Sequence, residues 1–277
     1  MPFITFDDDV GAAVDAGGAV PNGWRPLTDL PLVILVGVTG VGKSTTIAAL
    51  AVHAPDLHVL PDRRTLTDAL IIAHVQQADG APPAPVTDRA ARFAYTRRYR
   101  THFPGGMAHA VAQLRVAPHV TGPLLFDGLR GADEVHEAVT RFPHAVFVVL
   151  DAPDAVRVQR LLGRGDAFDQ IQSRTGHAGD DWTALGVPEA AAFLDADAQA
   201  RLLDLVATGA VTPQELAAKL RIVAEERRNY DPAAARATLE ALAPARTVVI
   251  DTTQHTPAAA AAMIAPLLRS ARAAQPR

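Results

Sequence analysis

The stretch Leu32–Thr45, LVILVGVTGVGKST, decides how the chain is expected to fold. It begins with an unbroken apolar run, which is typical of a strand buried on both faces of a parallel sheet. Residues 37–44 then match the pattern G-x-x-x-x-G-K-[ST] at every fixed position. Glycines allow the tight turn that brings backbone N–H groups close to an anion, and a helix starting near Lys43 directs its positive end to the same place. The stretch therefore predicts a strand, a phosphate-binding loop and a helix.

Two side chains of this loop have expected roles beyond the backbone. Lys43 reaches the β- and γ-phosphates in such loops, and the Ser44 hydroxyl binds Mg²⁺. A glycine turn without a ligand is the alternative, but the apolar run, the full motif and a following helical pattern all favour nucleotide binding. The expected nucleotide-binding residues of the loop are Gly37, Val38, Thr39, Gly40, Val41, Gly42, Lys43, Ser44 and Thr45.

Length and composition limit the possible classes of protein. A chain of 277 residues is long enough for one α/β domain with an insertion or for two small domains. A formal net charge of −4 argues against a general nucleic-acid binder, and the absence of cysteine excludes disulfides and thiolate zinc sites. The acidic segment 1–20 does not resemble a signal peptide, and no apolar run has transmembrane length. We expect a soluble cytoplasmic protein that does not enter a membrane.

The segment PLLFDGLR, residues 123–130, predicts a strand that ends in Asp127. A carboxylate at the carboxyl end of a parallel strand can hold Mg²⁺ or accept a proton from an attacking hydroxyl. An aspartate in this position is also a common turn or helix-cap residue. The loop upstream favours the metal or catalytic role, and Arg130 is expected to face the same site.

The short apolar run at residues 57–60 is the second expected strand, and the region between it and the strand that ends in Asp127 is basic and helical. The segment Asp88–His102 contains five arginines interleaved with aromatic residues, and a second helix is predicted over Met107–Val116. Such interleaving suits stacked bases, although aromatic residues at helical spacing are more often part of a core and its rim. The candidates for binding the phosphate acceptor are Asp62, Arg63, Arg92 and Arg97.

A second set of arginines follows the fourth expected strand, residues 144–151. Arg157, Arg160 and Arg164 lie at i, i+3 and i+7, so a helix places them on one face. They are either a solvated stripe or groups that contact phosphoryl oxygens, and their position after a strand end favours phosphate. The chain then contains an apparent insertion with helices predicted over 188–206 and 212–228, the second of which opens with a capping box, TPQE at 212–215. These helices also suggest a helix-turn-helix, but the second is not strongly basic at its start.

The remaining segments complete the predicted α/β architecture. Residues 1–30 are predicted to form an extension laid over the domain, in which Asp7, Asp8 and Asp9 form either a solvated acidic patch, which we favour, or a metal site. Residues 246–251 form the fifth expected strand. The alternation of strands and helices predicts an open, five-stranded parallel sheet between layers of helices.

Taken together, these motifs resemble those of P-loop kinases of the nucleoside monophosphate kinase type. The resemblance covers residues 31–165 and 245–277 and rests on the loop at 37–44, the segment FDGLR at 126–130, the strand end VLDAP at 149–153, the arginine series and the segment VIDTT at 249–253. It implies a P-loop three-layer fold with strand order 2-3-1-4-5. It also implies a domain over 31–277, with an acceptor-binding region at 62–118 and a lid-like insertion at 165–232.

The same resemblance implies an activity and a set of roles. The activity is transfer of the γ-phosphoryl group of ATP, with Mg²⁺, to a small acceptor such as a nucleoside monophosphate or a related phosphorylated metabolite. Arg157, Thr252 and His255 would assist in nucleotide binding, the last two against the adenine. The residues expected to act on the phosphoryl group are Lys43, Asp127, Arg130, Arg160 and Arg164.

Two other classes of function compete with a small-molecule kinase. One is an ATPase or nucleotide-dependent switch, but Gly128 follows the carboxylate where a second acid would orient water, and no guanine-reading motif is present. The other is a polynucleotide kinase or nucleic-acid-binding module, in which the segment 89–100 would grip a single strand. Steep salt dependence of oligonucleotide binding would support that class.

Overall fold

The central element of the computed structural model is a five-stranded parallel sheet. The structure describes residues 3–13, 19–163 and 185–273. The strands are β1 (Ile4–Thr5), β2 (Val10–Ala12), β3 (Arg25–Pro26), β4 (Leu32–Val36), β5 (His58–Val59), β6 (Leu114–Val116), β7 (Leu124–Leu129), β8 (Val146–Asp151) and β9 (Thr247–Asp251). The order across the central sheet is β5-β7-β4-β8-β9, which is the predicted order 2-3-1-4-5 when these five strands are numbered along the chain.

Helices cover both faces of this sheet. The helices are α1 (Lys43–His53), α2 (Arg63–Leu66), α3 (Ala73–Ala78), α4 (Arg89–His102), α5 (Met107–Val111), α6 (Ala132–Arg141), α7 (Asp154–Leu162), α8 (Ala190–Phe193), α9 (Ala196–Ala207), α10 (Pro213–Asn229), α11 (Pro232–Leu242) and α12 (Pro257–Ala273). A π-helical stretch, Thr67–Ile72, joins α2 to α3. None of the described helices combines the length and apolar character needed to cross a bilayer.

Strand β4 shows why the fold has three layers. All five of its residues are buried, and they alternate between two hydrophobic clusters. Leu32, Ile34 and Val36 pack with residues of α5, α6 and α11, whereas Val33 and Leu35 pack with residues of α1 and α12. Because successive side chains of a strand point to opposite faces, an unbroken apolar run is required where both faces are covered.

The N-terminal segment forms part of a second sheet. Strands β1, β2, β6 and β3 make an antiparallel sheet in the order β1-β2-β6-β3, with Val10 opposite Val116. The predicted helix Met107–Val116 is therefore wrong beyond α5, which ends at Val111. The prediction that Asp7, Asp8 and Asp9 form a solvated acidic patch is wrong for Asp9, whose carboxylate contacts His58 at 2.9 Å and His119 at 2.6 Å.

The described part of the insertion is helical, as predicted. Its second long helix, α10, begins with the expected capping box between Thr212 and Glu215. Leu220 and Val223 of α10 pack with Val158 and Leu161 of α7, so the insertion lies against the helix that follows β8. Arg164 falls outside the described residues.

Candidate active site

The loop between β4 and α1 has the backbone that its glycines predict. Gly40 and Gly42 have φ values of +87° and +98°, which L-residues rarely adopt. A Cβ atom on Gly40 would also lie 3.0 Å from the carbonyl oxygen of Arg157. Gly42 directly precedes the first turn of α1, so the open N–H groups of the helix start lie at the end of the loop.

Lys43 and Asp127 meet at this loop. The Lys43 ammonium donates hydrogen bonds to the carbonyl oxygens of Gly37 and Val38 at 2.9 and 3.1 Å, and its Nζ lies 3.7 Å from Oδ1 of Asp127. Burial lowers the pKa of Lys43, and the Asp127 carboxylate opposes that shift. Oδ1 of Asp127 is buried without a hydrogen-bond partner among the described residues, which leaves it available to a cation.

Asp127 lies within β7, whereas the sequence predicted that the strand ends there. The register shows why. Leu35 pairs with Asp127 and Val36 pairs with Leu129, so Gly128 is an extra residue in β7 at an irregularity between the two pairs. Leu129 then accepts a hydrogen bond from the N–H of Gly37 at 3.0 Å. The strand continues past its carboxylate because a bulge absorbs Gly128, and bulges are common next to active sites.

A buried carboxylate from the insertion also reaches the loop. Glu226 of α10 accepts hydrogen bonds from the N–H and hydroxyl of Thr39 at 3.0 and 2.5 Å, and from Arg130 at 2.6 Å. Arg157 contacts the same carboxylate and donates to the carbonyl oxygen of Thr39 at 2.8 Å. Burial alone would raise the pKa of Glu226, but Arg130 and Arg157 hold it below its ordinary value. Glu226 is therefore an anion at the mouth of the loop.

The other side of the loop faces the segment after β9. Arg160 donates to the hydroxyl and carbonyl oxygens of Thr252, each at 2.8 Å, and to the carbonyl oxygen of Gly40 at 3.3 Å. A cavity of about 400 Å³ lies here, lined by Gly42, Thr45, Thr46, Arg160, Thr252, His255, Pro257 and Ala260. The residues expected at the adenine thus share one cavity with the end of the phosphate-binding loop.

A second cavity, of about 300 Å³, opens on the opposite side of Thr39. Its walls are rich in arginine and aromatic residues from α2, α4 and the end of α10, and they include Arg63, Arg64, Arg92, Phe93, Tyr99, Arg100, Arg130, Glu226 and Tyr230. We name it the arginine cavity. Its position beside the loop and its positive lining suit an anionic ligand of moderate size.

The structure brings only part of the predicted acceptor set into the arginine cavity. Arg63 and Arg92 line it, the latter paired with Asp68. Asp62 does not, because its carboxylate caps α2 by accepting from the N–H groups of Arg64 and Thr65 at 2.7 and 2.9 Å. Arg97 is exposed and also lies outside the lining.

Sequence reasoning missed Arg64, Arg100, Tyr230 and Glu226. For Arg100 a signal was present, because residues 92, 96, 99 and 100 recur at the spacing of one helix face, and all four line the cavity. The guanidinium of Arg100 forms no hydrogen bond or ion pair with another residue that the structure describes. For Glu226 no local signal existed, since it belongs to the charged run EERR that reads as a solvent-facing helix end.

Behind the cavity, Arg63 is fixed by Glu134. Arg63 donates to both oxygens of Glu134, at 2.9 and 2.5 Å, and to the hydroxyl of Tyr230 at 3.0 Å. Burial of the guanidinium group lowers the pKa of Arg63, but Glu134 and Tyr230 outweigh this effect and raise the pKa above its ordinary value. Arg63 is therefore a structural member of the cavity wall, held as a cation by its partners.

Replacing Glu134 with alanine is expected to lower the free energy of unfolding by about 3–5 kcal/mol, because the buried Arg63 loses its counter-ion. Glu137 of the same helix offers a matched control, since its pair with Arg141 spans only i to i+4 and is partly exposed. Glu137→Ala should cost less than about 0.5 kcal/mol. Urea denaturation followed by circular dichroism compares the two variants, and equal losses would contradict the assignment.

Comparisons with known proteins give little beyond this geometry. No protein-family model matches the chain, and no curated protein matches it. Among solved structures, an unliganded sugar kinase from Janibacter sp. aligns over 90% of this chain and 99% of its own, with 18% identity and a TM-score of 0.35. A sulfotransferase from Alicyclobacillus acidocaldarius aligns over 86% of this chain and 81% of its own, with 12% identity and a TM-score of 0.33. Neither likeness carries an argument about activity.

Proposed function

We propose that the protein is a P-loop kinase that transfers the γ-phosphoryl group of ATP to a small anionic acceptor, such as a nucleoside monophosphate or a related phosphorylated metabolite. The observation that carries the proposal is the meeting of Lys43 and Asp127, 3.7 Å apart, at a glycine-shaped loop between two cavities. One cavity suits the nucleoside of ATP, and the arginine cavity suits the acceptor. Phosphoryl transfer requires positioning and charge neutralisation, which this arrangement can supply.

The residues at the loop fit Mg²⁺. Ser44 and Asp127 would hold the ion, and the buried Oδ1 of Asp127, which accepts no hydrogen bond from a described residue, is the structural feature that supports this role. When bound, Mg²⁺ neutralises charge on the phosphate oxygens. The other charges come from the chain itself, with Lys43 at the phosphates and Arg160 between the loop and Thr252.

In the proposed reaction an oxygen of the acceptor forms the new bond to the γ-phosphorus, and the bond from that phosphorus to the bridging oxygen of ADP breaks. Where the acceptor oxygen is a hydroxyl, Asp127 would accept its proton. Arg130 lines the arginine cavity and contacts Glu226 beside the loop, and we assign it to stabilising the transferring group.

The direct test follows ADP formation from ATP and Mg²⁺ with a panel of acceptors. The panel contains nucleoside monophosphates, sugar phosphates and their uncharged counterparts. We expect at least one phosphorylated member to stimulate ADP formation and to be converted into a product heavier by one phosphoryl group. ADP release at a rate that no acceptor changes would contradict kinase function.

Arg100→Gln is expected to raise KM for the stimulating acceptor about 10- to 100-fold, because a charge-assisted hydrogen bond contributes about 1.5–3 kcal/mol. Arg97→Gln on the same helix is the matched control, since Arg97 is exposed and outside the arginine cavity. Initial-rate kinetics at saturating ATP measure both variants. Equal KM values for the two variants would place the acceptor elsewhere.

A further inference from the structure

The carboxylate of Glu226 occupies a site whose donors suit a phosphoryl group. Four donors converge on it, the N–H and hydroxyl of Thr39 and the guanidinium groups of Arg130 and Arg157. A backbone N–H of a glycine-rich loop, a hydroxyl and two guanidinium groups are a typical phosphate-binding set. Because all four can donate to any anion of suitable size, the set does not require a carboxylate.

The location of this site matches the terminal phosphate rather than the nucleoside. Thr39 lies within the loop whose N–H groups hold the phosphates. Lys43, the residue that reaches the β- and γ-phosphates, donates to the carbonyl oxygen of Val38 at 3.1 Å, directly before Thr39. In addition, Glu226 and Arg130 both line the arginine cavity, so the site lies between the expected nucleotide and the expected acceptor.

We infer that Glu226 is an internal competitor for the position of the γ-phosphoryl group, so that binding of a nucleoside triphosphate, but not a diphosphate, displaces it and releases α10 from the loop. This inference rests on the proposed function. The Glu226 carboxylate and a γ-phosphoryl group cannot share these donors, because two negative charges in contact inside a protein repel each other strongly. The phosphoryl group therefore gains Thr39, Arg130 and Arg157 as Glu226 leaves.

Displacement of Glu226 has a consequence for the acceptor. Tyr230 follows directly after α10, and it lies against Arg63 and Arg130 with its ring centroid 5.4 and 5.9 Å from their guanidinium carbons. Ile222, Glu226 and Tyr230 all line the arginine cavity. Movement of α10 thus changes one wall of that cavity, so triphosphate binding reshapes the acceptor site before transfer.

The test compares the dissociation constants of ADP and a non-hydrolysable ATP analogue, both with Mg²⁺, for the full chain and two variants. Glu226→Gln removes the competing charge and keeps the size of the side chain. We expect it to raise the preference for the triphosphate over the diphosphate about tenfold, which corresponds to about 1.4 kcal/mol. Asp154→Asn is the matched control, because Asp154 also pairs with Arg157 but forms no contact with Thr39 in the structure. Its preference should equal that of the native chain.

A second measurement on the native chain does not depend on the folding of a variant. Hydrogen–deuterium exchange of α10 should become faster with the ATP analogue and stay unchanged with ADP. An unchanged or lower triphosphate preference in Glu226→Gln, an equal rise in Asp154→Asn, or slower exchange of α10 with the analogue would overturn the inference. Failure of the chain to bind either nucleotide would instead overturn the proposed function.

Discussion

Lys43→Met is expected to lower kcat for phosphoryl transfer about 10²- to 10³-fold, the usual cost of removing one preorganised group that stabilises transition-state charge. Lys43 is buried beside Asp127 and anchored by two loop carbonyls, and the sequence contains one other lysine, Lys219. Methionine keeps most of the length and removes the charge. The measurement is the steady-state rate of ADP formation at saturating ATP and acceptor.

A control separates this effect from general damage to the protein. Arg141→Gln removes a cation of similar reach from a partly exposed pair with Glu137, away from both cavities. We expect its rate to equal that of the native chain. If the Lys43→Met variant kept the native rate, the loop would have no role in phosphoryl transfer.

Asp127→Asn is the second large effect that we expect. The carboxylate is assigned to Mg²⁺ or to the proton of the acceptor, and loss of a positioned acid or base costs about 10²- to 10⁴-fold in rate. The amide keeps the shape of the side chain, but it removes the negative charge beside Lys43. The rate should fall by this amount, and the Mg²⁺ concentration at half-maximal rate should rise if the metal role applies.

Asp133→Asn provides the comparison for Asp127. Asp133 is an exposed residue in the first turn of α6, a few residues further along the chain. Its replacement should leave both the rate and the Mg²⁺ dependence unchanged. If Asp127→Asn behaved like Asp133→Asn, the Asp127 carboxylate would have no role in the reaction.

The features that could be predicted from the sequence are those fixed by local patterns. The unbroken run in β4 predicted burial on both faces, and the glycines of the loop predicted a tight turn, which the structure forms with left-handed backbone at Gly40 and Gly42. The capping box at Thr212 was likewise local. In each case a few neighbouring residues determine the structure, so a single sequence is sufficient.

The features that could not be predicted depend on contacts between distant residues. The short strand β6 forms because it pairs with β2, about a hundred residues earlier, so residues 114–116 read locally as the end of a helix. The extra Gly128 in β7 is defined only by its register with β4. Glu226 becomes part of the site only when α10 folds back against α7 and the loop.

The most direct test of the central claim is a crystal structure of the chain with Mg²⁺ and a non-hydrolysable ATP analogue. The account predicts that the phosphates lie within the loop at residues 37–45, with Lys43 on the β- and γ-phosphates and with Mg²⁺ held near Ser44 and Asp127. A nucleotide bound elsewhere while this loop remains empty, or an Asp127 side chain turned away from the bound phosphates, would contradict it.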